Sequence, residues 1–260
     1  MRPSGVLTLL TDFGVQDPFV GVMKGVILKQ SARLSIVDLT HAIEPQRVGD
    51  AAFWLSRAYP WFPEGTVHVA VVDPGVGTAR RALAAQAGGH FFVAPDNGVL
   101  EVVARRAPDF EAREVDPDAL GFRSPSRTFH GRDVFAPVGA LLASGALAFD
   151  GVGPGATLVA TTHVPEPVVG GRSAEGAVVV VDRFGNLITN LSVAGLPANT
   201  RARVSVLGHD LAVVGTFADV PPGALAAVAG SFGEVEIFVR NGSAAAALSA
   251  QRGTPVGVSW

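Results

Sequence analysis

The sequence predicts an α/β protein in two parts: an N-terminal α/β domain with a largely parallel sheet, and a smaller C-terminal antiparallel β domain of barrel-like form. Three observations predict this fold. β-rich runs alternate with helical patterns up to about residue 160, Gly and Pro are concentrated between residues 151 and 176, and short β-like runs follow. The predicted boundaries are residues 1–165 for the first domain, 166–176 for a linker and 177–260 for the second.

The N-terminal part reads as repeated βαβ units. Apolar residues there follow strand and helix periods in turn, and strands that alternate with helices imply parallel pairing. Strands are predicted at residues 7–10, 35–39, 67–72, 83–87 and 91–94, and helices at residues 18–30, 48–59 and 136–144.

The C-terminal part follows a segment rich in chain breakers, with GPG at 153–155, PEP at 165–167 and GG at 170–171. An alanine-rich run at 244–250 predicts one short helix. Short strands are predicted at residues 177–181, 203–206, 209–214, 224–228, 235–239 and 255–258.

Composition narrows the possible functions. The 260 residues are 48% apolar with a mean hydropathy of +0.36, enough for a substantial core, and the net charge of −3 provides no basic field for nucleic acid or acidic membranes. Apolar runs are too short for a membrane span of about 20 residues. The absence of cysteine excludes disulfides, thiolate metal sites and a cysteine nucleophile. The N-terminus shows no secretory signal pattern, so a cytoplasmic location is expected.

The segment 128–137, TFHGRDVFAP, places His130, Arg132 and Asp133 within four residues at the start of an apolar run. This cluster indicates chemistry, although a structural histidine is the alternative. His130 and Asp133 have a spacing that could bind metal, but no third donor is evident. The other histidines are scattered and are expected at the surface or in support of a site; they are His41, His68, His90, His163 and His209.

Two further turns end predicted strands on acids, as ligand sites do at the carboxyl edge of open α/β sheets. Asp12 lies in LLTDFG at 9–14, where its carboxylate could accept both hydroxyls of a ribose beside the ring of Phe13; an N-cap or Asx-turn is the alternative. Asp73 is seven residues from Arg80 across a PGVG turn, which suits either a catalytic pair or a structural ion pair. The glycines complete no nucleotide-phosphate motif.

The second part contains a similar turn at 182–190, DRFGNLITN. One acid, aromatic and glycine turn in each domain would suit a polar ligand clamped between the domains.

Taken together, the chain resembles the S-adenosylmethionine hydroxide adenosyltransferase family, which is related to fluorinating and chlorinating enzymes that act on the same substrate. The order and spacing of the matching blocks are specific, and they span nearly the whole chain. The blocks are residues 9–14 with 21–25, 72–78 with Arg80, 94–98, 128–137, 182–190 and 230–233.

The resemblance implies hydrolysis of S-adenosyl-L-methionine by attack of water or hydroxide at the ribose C5′, which gives adenosine and L-methionine without a metal or cofactor. It also implies a homotrimer with active sites at subunit interfaces, each between the N-terminal domain of one subunit and the C-terminal domain of its neighbour.

The same resemblance assigns roles to residues. The catalytic set maps onto Asp73, Arg80 and His130, and Asp12 would hold the ribose hydroxyls. Asp182 and Ser231 would face the methionine end, with Phe184, Asn186 and the turn at Asn241 near the adenine. That turn reads RNGS at 240–243, where family members commonly have NGGS. The implied substrate-binding residues are Asp12, Phe13, Phe129, Asp182, Phe184, Asn186, Ser231 and Asn241.

The residue types suit this reaction. A neutral thioether leaves without a general acid, so the difficulty lies in water, a very weak acid that must lose a proton at or before attack. Arg80 would stabilise developing hydroxide, and either Asp73 or His130 would accept or orient the proton.

Three other functions compete. A non-catalytic sensor would bind S-adenosylmethionine or adenosine without turnover. A halogenase is disfavoured, because His130-Gly131 and Asp73 stand where halogenases carry Tyr-Ser and Tyr, and a carboxylate repels a halide. A metal-dependent phosphoesterase would use Asp12, Asp73, Asp96, His130 and Asp133.

Overall fold

The computed structural model describes residues 1–122, 126–192 and 202–260. The chain divides into two compact units, Met1–His163 and Val164–Trp260. The first is an α/β unit and the second a β-barrel, which confirms the predicted fold class.

A seven-stranded sheet forms the centre of the first unit, in the order β2-β1-β3-β5-β4-β6-β7 as described. The first four strands in that order are parallel, and the remaining pairs are antiparallel. The strands are β1 Val6–Thr11, β2 Ser35–Thr40, β3 Val67–Val71, β4 Ala82–Ala87, β5 His90–Pro95, β6 Glu111–Glu114 and β7 Gly155–Ala156.

Helices cover both faces of this sheet; they are α1 Phe19–Gln30, α2 Val48–Ala58, α3 Glu101–Arg106 and α4 Ala136–Ser144. Successive strand residues point to opposite faces, so Leu9 lies in the core under α1 and α4 while Leu10 lies in the core under α2 and α3. A π-helical turn, Gly131–Phe135, leads directly into α4.

The second unit is a barrel in which β10-β14-β13-β12-β11-β15-β9 closes by pairing of β9 with β10, and β8 adds to the outside edge of β9. The one parallel neighbour pair recorded in this described barrel is β12 with β13. The elements are β8 Val168–Gly170, β9 Ser173–Val181, β10 Leu187–Ser192, β11 Arg203–Val206, β12 His209–Val214, β13 Leu225–Ala229, β14 Glu234–Val239, α5 Ala244–Leu248 and β15 Pro255–Ser259.

Several elements differ from the sequence prediction. Segment 166–176, predicted as a linker, holds β8 and the start of β9, and the short elements α3, β6, β7 and β10 were not predicted. Of the histidines expected at the surface or in support of a site, His68 on β3 and His90 on β5 are buried, at 0% and 3% exposure. Within the described ranges, no helix has the length and apolar character to cross a bilayer.

Candidate active site

Two of the acids predicted for the site follow neighbouring parallel strands. β1 and β3 pair in register with Thr11 opposite Val71, so Asp12 and Asp73 leave the sheet at the same carboxyl edge. This edge is where open α/β sheets bind ligands.

The arginine after the PGVG turn reaches back to the strand-end acid. Arg80 Nε donates to Asp73 Oδ1 at 2.9 Å and to Oδ2 at 3.1 Å, and Arg80 Nη2 donates to Oδ2 at 2.5 Å. The two side chains are only 10% and 6% exposed, so little solvent screens the pair. The turn that joins them therefore fixes a guanidinium against a carboxylate.

The same guanidinium contacts the predicted histidine, because Arg80 Nη2 lies 2.7 Å from His130 Nδ1. A guanidinium can only donate, so Nδ1 accepts and a neutral ring carries its proton on Nε2. Burial lowers the pKa of His130, and the charge of Arg80 lowers it further against the opposing charges of Asp73 and Asp133. His130 is therefore neutral at pH 7.

A π-helical turn orients His130, and such turns recur at functional sites. Asp133 follows Arg132 in that turn. Its carboxylate accepts from Ser126 N at 2.8 Å and from Arg132 Nε at 2.6 Å. The bond from Arg132 is the main cause that holds the pKa of Asp133 below its usual range. Arg132 and Asp133, prominent in the sequence cluster, thus pair with each other and support the turn.

Gly77 brings the PGVG turn against the segment before His130. Its φ is +78°, and a Cβ there would lie 2.4 Å from the backbone oxygen of Arg127. Only glycine meets both requirements without strain.

An aromatic group lies beside this cluster. The rings of Phe13, Phe19 and Phe129 pack edge to face with centroids 5.4 to 6.0 Å apart. A Cβ on Gly131 would lie 3.2 Å from Phe129 and 3.3 Å from Phe13, so the Asp12 turn and the His130 turn touch. Phe19 was not predicted; an aromatic residue at an exposed helix start is the signal that could have identified it.

Asp12 is half-buried, and its Oδ2 accepts from Gln46 N at 2.8 Å. This contact joins residues 34 apart, and α1 begins seven residues later, so the bond is neither an Asx-turn nor an N-cap. A distant backbone group holds the carboxylate.

The second unit holds the other predicted binding residues. Asp182 Oδ1 accepts from the backbone N–H of Phe184 and of Asn186, each at 2.8 Å, and Asn186 Nδ2 donates to Asp182 Oδ2 at 3.1 Å. Asn186 is buried, whereas Phe184 is 76% exposed. The turn is a rigid Asx-type loop that presents an aromatic ring.

The turn after β14 packs onto this loop. Asn241 is exposed with φ +58°, and Gly185 approaches Ser243 so closely that a Cβ would lie 2.1 Å from its Oγ. Ala245 N also donates to Gly185 O at 2.9 Å. The Asp182 and Asn241 turns therefore form one surface of the barrel unit.

Sequence reasoning missed one acid of this surface, Glu236 on β14. Burial raises the pKa of Glu236, and the charge of Asp182 adds to that rise against a hydrogen bond from Asn186. A Cβ on Gly230 would lie 2.9 Å from Glu236 Oε2, which places the carboxyl beside the exposed turn of Ser231. Acids within the apolar strand EVEIFV at 234–239 are the signal that could have revealed it.

The fold and these residues define a two-unit protein whose α/β unit carries an Asp-Arg-His cluster and whose barrel unit carries a polar Asx-type turn. The chain belongs to the SAM hydroxide adenosyltransferase family: residues 7–153 match its N-terminal domain and residues 176–257 its C-terminal domain.

Named relatives and a solved structure agree with this membership. The chain is 43% identical to (R)-S-adenosyl-L-methionine hydrolase from Thermus thermophilus, over 98% of this chain and 99% of that protein. It is 40% identical to the hydrolase of the same name from Salinispora arenicola, over 97% of each. The crystal structure of an uncharacterised conserved protein from Thermotoga maritima superposes with a TM-score of 0.89 at 37% identity, over 98% of this chain and 100% of that one. A fluorinase from Actinoplanes sp. is more distant, at 29% identity over 91% of this chain and 88% of that protein.

Proposed function

We propose that this protein hydrolyses S-adenosyl-L-methionine by attack of water at the ribose C5′, which yields adenosine and L-methionine. The observation that carries the proposal is the arrangement in which one guanidinium, that of Arg80, bonds both Asp73 and His130 at the carboxyl edge of the sheet. The relatives from Thermus thermophilus and Salinispora arenicola are named (R)-S-adenosyl-L-methionine hydrolases. These names support the same substrate, as the (R) epimer at the sulfonium.

The chemistry needs an activated nucleophile. The sulfonium leaves as a neutral thioether, whereas water must lose a proton as the new C–O bond forms. A fixed positive charge from Arg80 stabilises the developing hydroxide, and its low exposure strengthens that effect.

Of the two open choices for the proton acceptor, the geometry favours Asp73. Arg80 uses three of the approximately four lone-pair sites of the carboxylate, which leaves one on Oδ1. His130 would have to accept at Nδ1, which requires loss of the 2.7 Å contact with Arg80. In this proposal His130 instead donates from Nε2 and orients the attacking water.

Substrate contacts are assigned from the family resemblance and the observed surfaces. Asp12 accepts the ribose hydroxyls, with Phe13 and Phe129 beside it. Asp182 and Ser231 face the methionine end, and the exposed ring of Phe184 is available to stack on adenine, near Asn186 and Asn241. The homotrimer with active sites at subunit interfaces and the cytoplasmic location stay predictions.

The metal-dependent phosphoesterase is the weaker alternative. Three acids that it would use already pair with an arginine: Asp73 with Arg80, Asp96 with Arg81 and Asp133 with Arg132. Among the described residues no three His, Asp or Glu side chains form a metal-binding group.

A halogenase is disfavoured by charge. The carboxylate of Asp73 lies beside the positive group that a halide would need, so the halide would compete with a fixed anion.

A non-catalytic sensor would need Asp12 and Asp182 for affinity, whereas Asp73→Ala and His130→Ala would leave its binding unchanged.

Incubation of chelator-treated protein with each sulfonium epimer, with and without chloride or fluoride, tests these functions. Chromatography and mass spectrometry should find adenosine and methionine at a rate independent of halide. Halogenated nucleoside would indicate the halogenase, and binding without turnover would indicate the sensor. Turnover of a phosphoester that returns only on addition of a divalent ion would indicate the metal-dependent enzyme.

A further inference from the structure

The turn that carries Asp12 is held from behind by a buried threonine and histidine. Thr11 Oγ1 accepts from Phe13 N at 3.2 Å and lies 2.9 Å from His41 Nδ1. The backbone oxygen of His41 accepts from Gly14 N at 2.8 Å. Thr11 and His41 are 0% and 6% exposed. His41 therefore fixes the residues on both sides of Asp12, through its ring and through its backbone.

An ion pair at the protein surface orients the ring of His41. His41 Nε2 lies 3.0 Å from Asp38 Oδ1, within ion-pair distance but off the ideal hydrogen-bond direction. Lys24 Nζ donates to Asp38 Oδ2 at 2.6 Å. Because a carboxylate only accepts, the proton of a neutral ring belongs on Nε2, which leaves Nδ1 to accept from the Thr11 hydroxyl. Lys24 lies in segment 21–25, one of the sequence blocks that no step of the reaction uses.

We propose that Thr11 and His41 are positioning residues for the substrate ribose, in a supporting chain that runs Lys24, Asp38, His41, Thr11 and ends at Asp12. The inference rests on the proposed function, in which Asp12 accepts the ribose hydroxyls. A carboxylate that must accept from two hydroxyls at once binds them better when its turn is held rigidly. The supporting chain provides this rigidity, and Thr11 and His41 do not themselves contact the substrate.

The same strand provides a matched control. Thr8 is also 0% exposed, and its Oγ1 lies 2.8 Å from Nδ1 of a second buried histidine, His68. The Thr8–His68 pair joins β1 to β3 and is not part of the Asp12 turn. Thr8→Val and Thr11→Val therefore remove the same group from the same kind of pair, and only the second removes it from the supporting chain.

The test compares dissociation constants of adenosine and 2′,3′-dideoxyadenosine, measured by calorimetry on the full chain. Because Thr11→Val removes one hydrogen bond, we expect it to weaken the binding of adenosine about three- to tenfold and to leave the dissociation constant of dideoxyadenosine unchanged. Thr11→Ser, which keeps the hydroxyl, should bind as the wild type does. Asp38→Asn, at a side chain that is 40% exposed, should raise the dissociation constant of adenosine by a smaller factor. Thr8→Val should leave the ratio of the two constants unchanged.

An equal effect of Thr11→Val on both nucleosides, or an effect on neither, would overturn the positioning role. If Thr11→Val does not fold, the Asp38→Asn ratio decides the matter in the same way. A wild type that hydrolyses S-adenosylmethionine yet binds both nucleosides equally would overturn this inference and leave the proposed reaction standing. A wild type that neither hydrolyses S-adenosylmethionine nor binds adenosine would remove the proposed function itself.

Discussion

Arg80 donates to Nδ1 of His130 across 2.7 Å while it holds the carboxylate of Asp73. The contact assigns the imidazole proton to Nε2 and makes the arginine the centre of the cluster, since both partners bond to it and not to each other in the contacts described. Its consequences for turnover and pH can be measured.

Arg80→Ala should lower kcat by about 100-fold or more with a much smaller rise in KM, because the charge acts on the nucleophile in the transition state. Steady-state kinetics on S-adenosylmethionine measure both constants. Arg113→Ala is the matched control. Arg80 lies over the ring of Phe135, and Arg113 on β6 likewise lies over the ring of Phe149 and pairs with acids. A rise in KM alone for Arg80→Ala would contradict this role.

Turnover should fall on the acid side of neutrality, because protonation of Nδ1 removes the acceptor that Arg80 uses. Burial and the charge of Arg80 lower the pKa of His130, so this acid limb lies below the ordinary histidine value of about 6.5. Because the pKa of His130 is lower in the folded protein than in the unfolded chain, the free energy of unfolding should rise with pH between those two pKa values. His130→Gln retains an acceptor that does not titrate there, so its kcat profile should lose the acid limb. An unchanged limb in His130→Gln would assign it to another group.

Acid should also destabilise the fold through His68. Burial, with the charge of His90 as a further cause, lowers the pKa of His68 to about 3. The unfolded chain therefore binds the proton first, and stability falls as pH drops from about 6.5 towards 3, by up to about 5 kcal/mol for this group. Urea unfolding of the wild type and of His68→Leu at pH 7 and at lower pH measures the difference. Equal pH slopes in the two proteins would exclude His68 as the cause.

Gly77→Ala should cost more stability than Gly5→Ala. Both glycines have φ near +80°, but a Cβ at Gly77 would lie 2.4 Å from the oxygen of Arg127, whereas Gly5 has nothing within 4 Å. Both substitutions place alanine at a positive φ that favours glycine, and Gly77→Ala adds a steric clash. We therefore expect Gly77→Ala to lower the free energy of unfolding by about 1–3 kcal/mol more than Gly5→Ala does, and to lower kcat. Thermal unfolding and kinetics test this, and equal costs would show that the turn relaxes freely.

Much of the fold follows from local patterns. The strands that end on Asp12 and Asp73 have clear apolar runs, and a strand end fixes where its next side chain emerges. The elements that the sequence did not predict are short or carry charges within the strand, as in EARE at 111–114, so their periods are weak. Element positions in the first half were thus predictable where apolar periodicity was long.

The site was predictable only in part. Asp73, Arg80 and His130 share recognisable local motifs, whereas the support from His41 depends on contacts between residues 30 apart in the sequence. The burial of Glu236 depends on the pairing of β14 with β10, which no local pattern specifies. The π-helical turn before α4 likewise has no simple sequence period, so the orientation of His130 required the structure.

Hydrolysis of S-adenosylmethionine in water enriched in oxygen-18, by chelator-treated protein, tests the central claim most directly. Attack of water at C5′ predicts that the adenosine product carries oxygen-18 in its 5′-hydroxyl while methionine stays unlabelled. Adenosine without the label, or a labelled amino-acid product, would contradict the proposed attack.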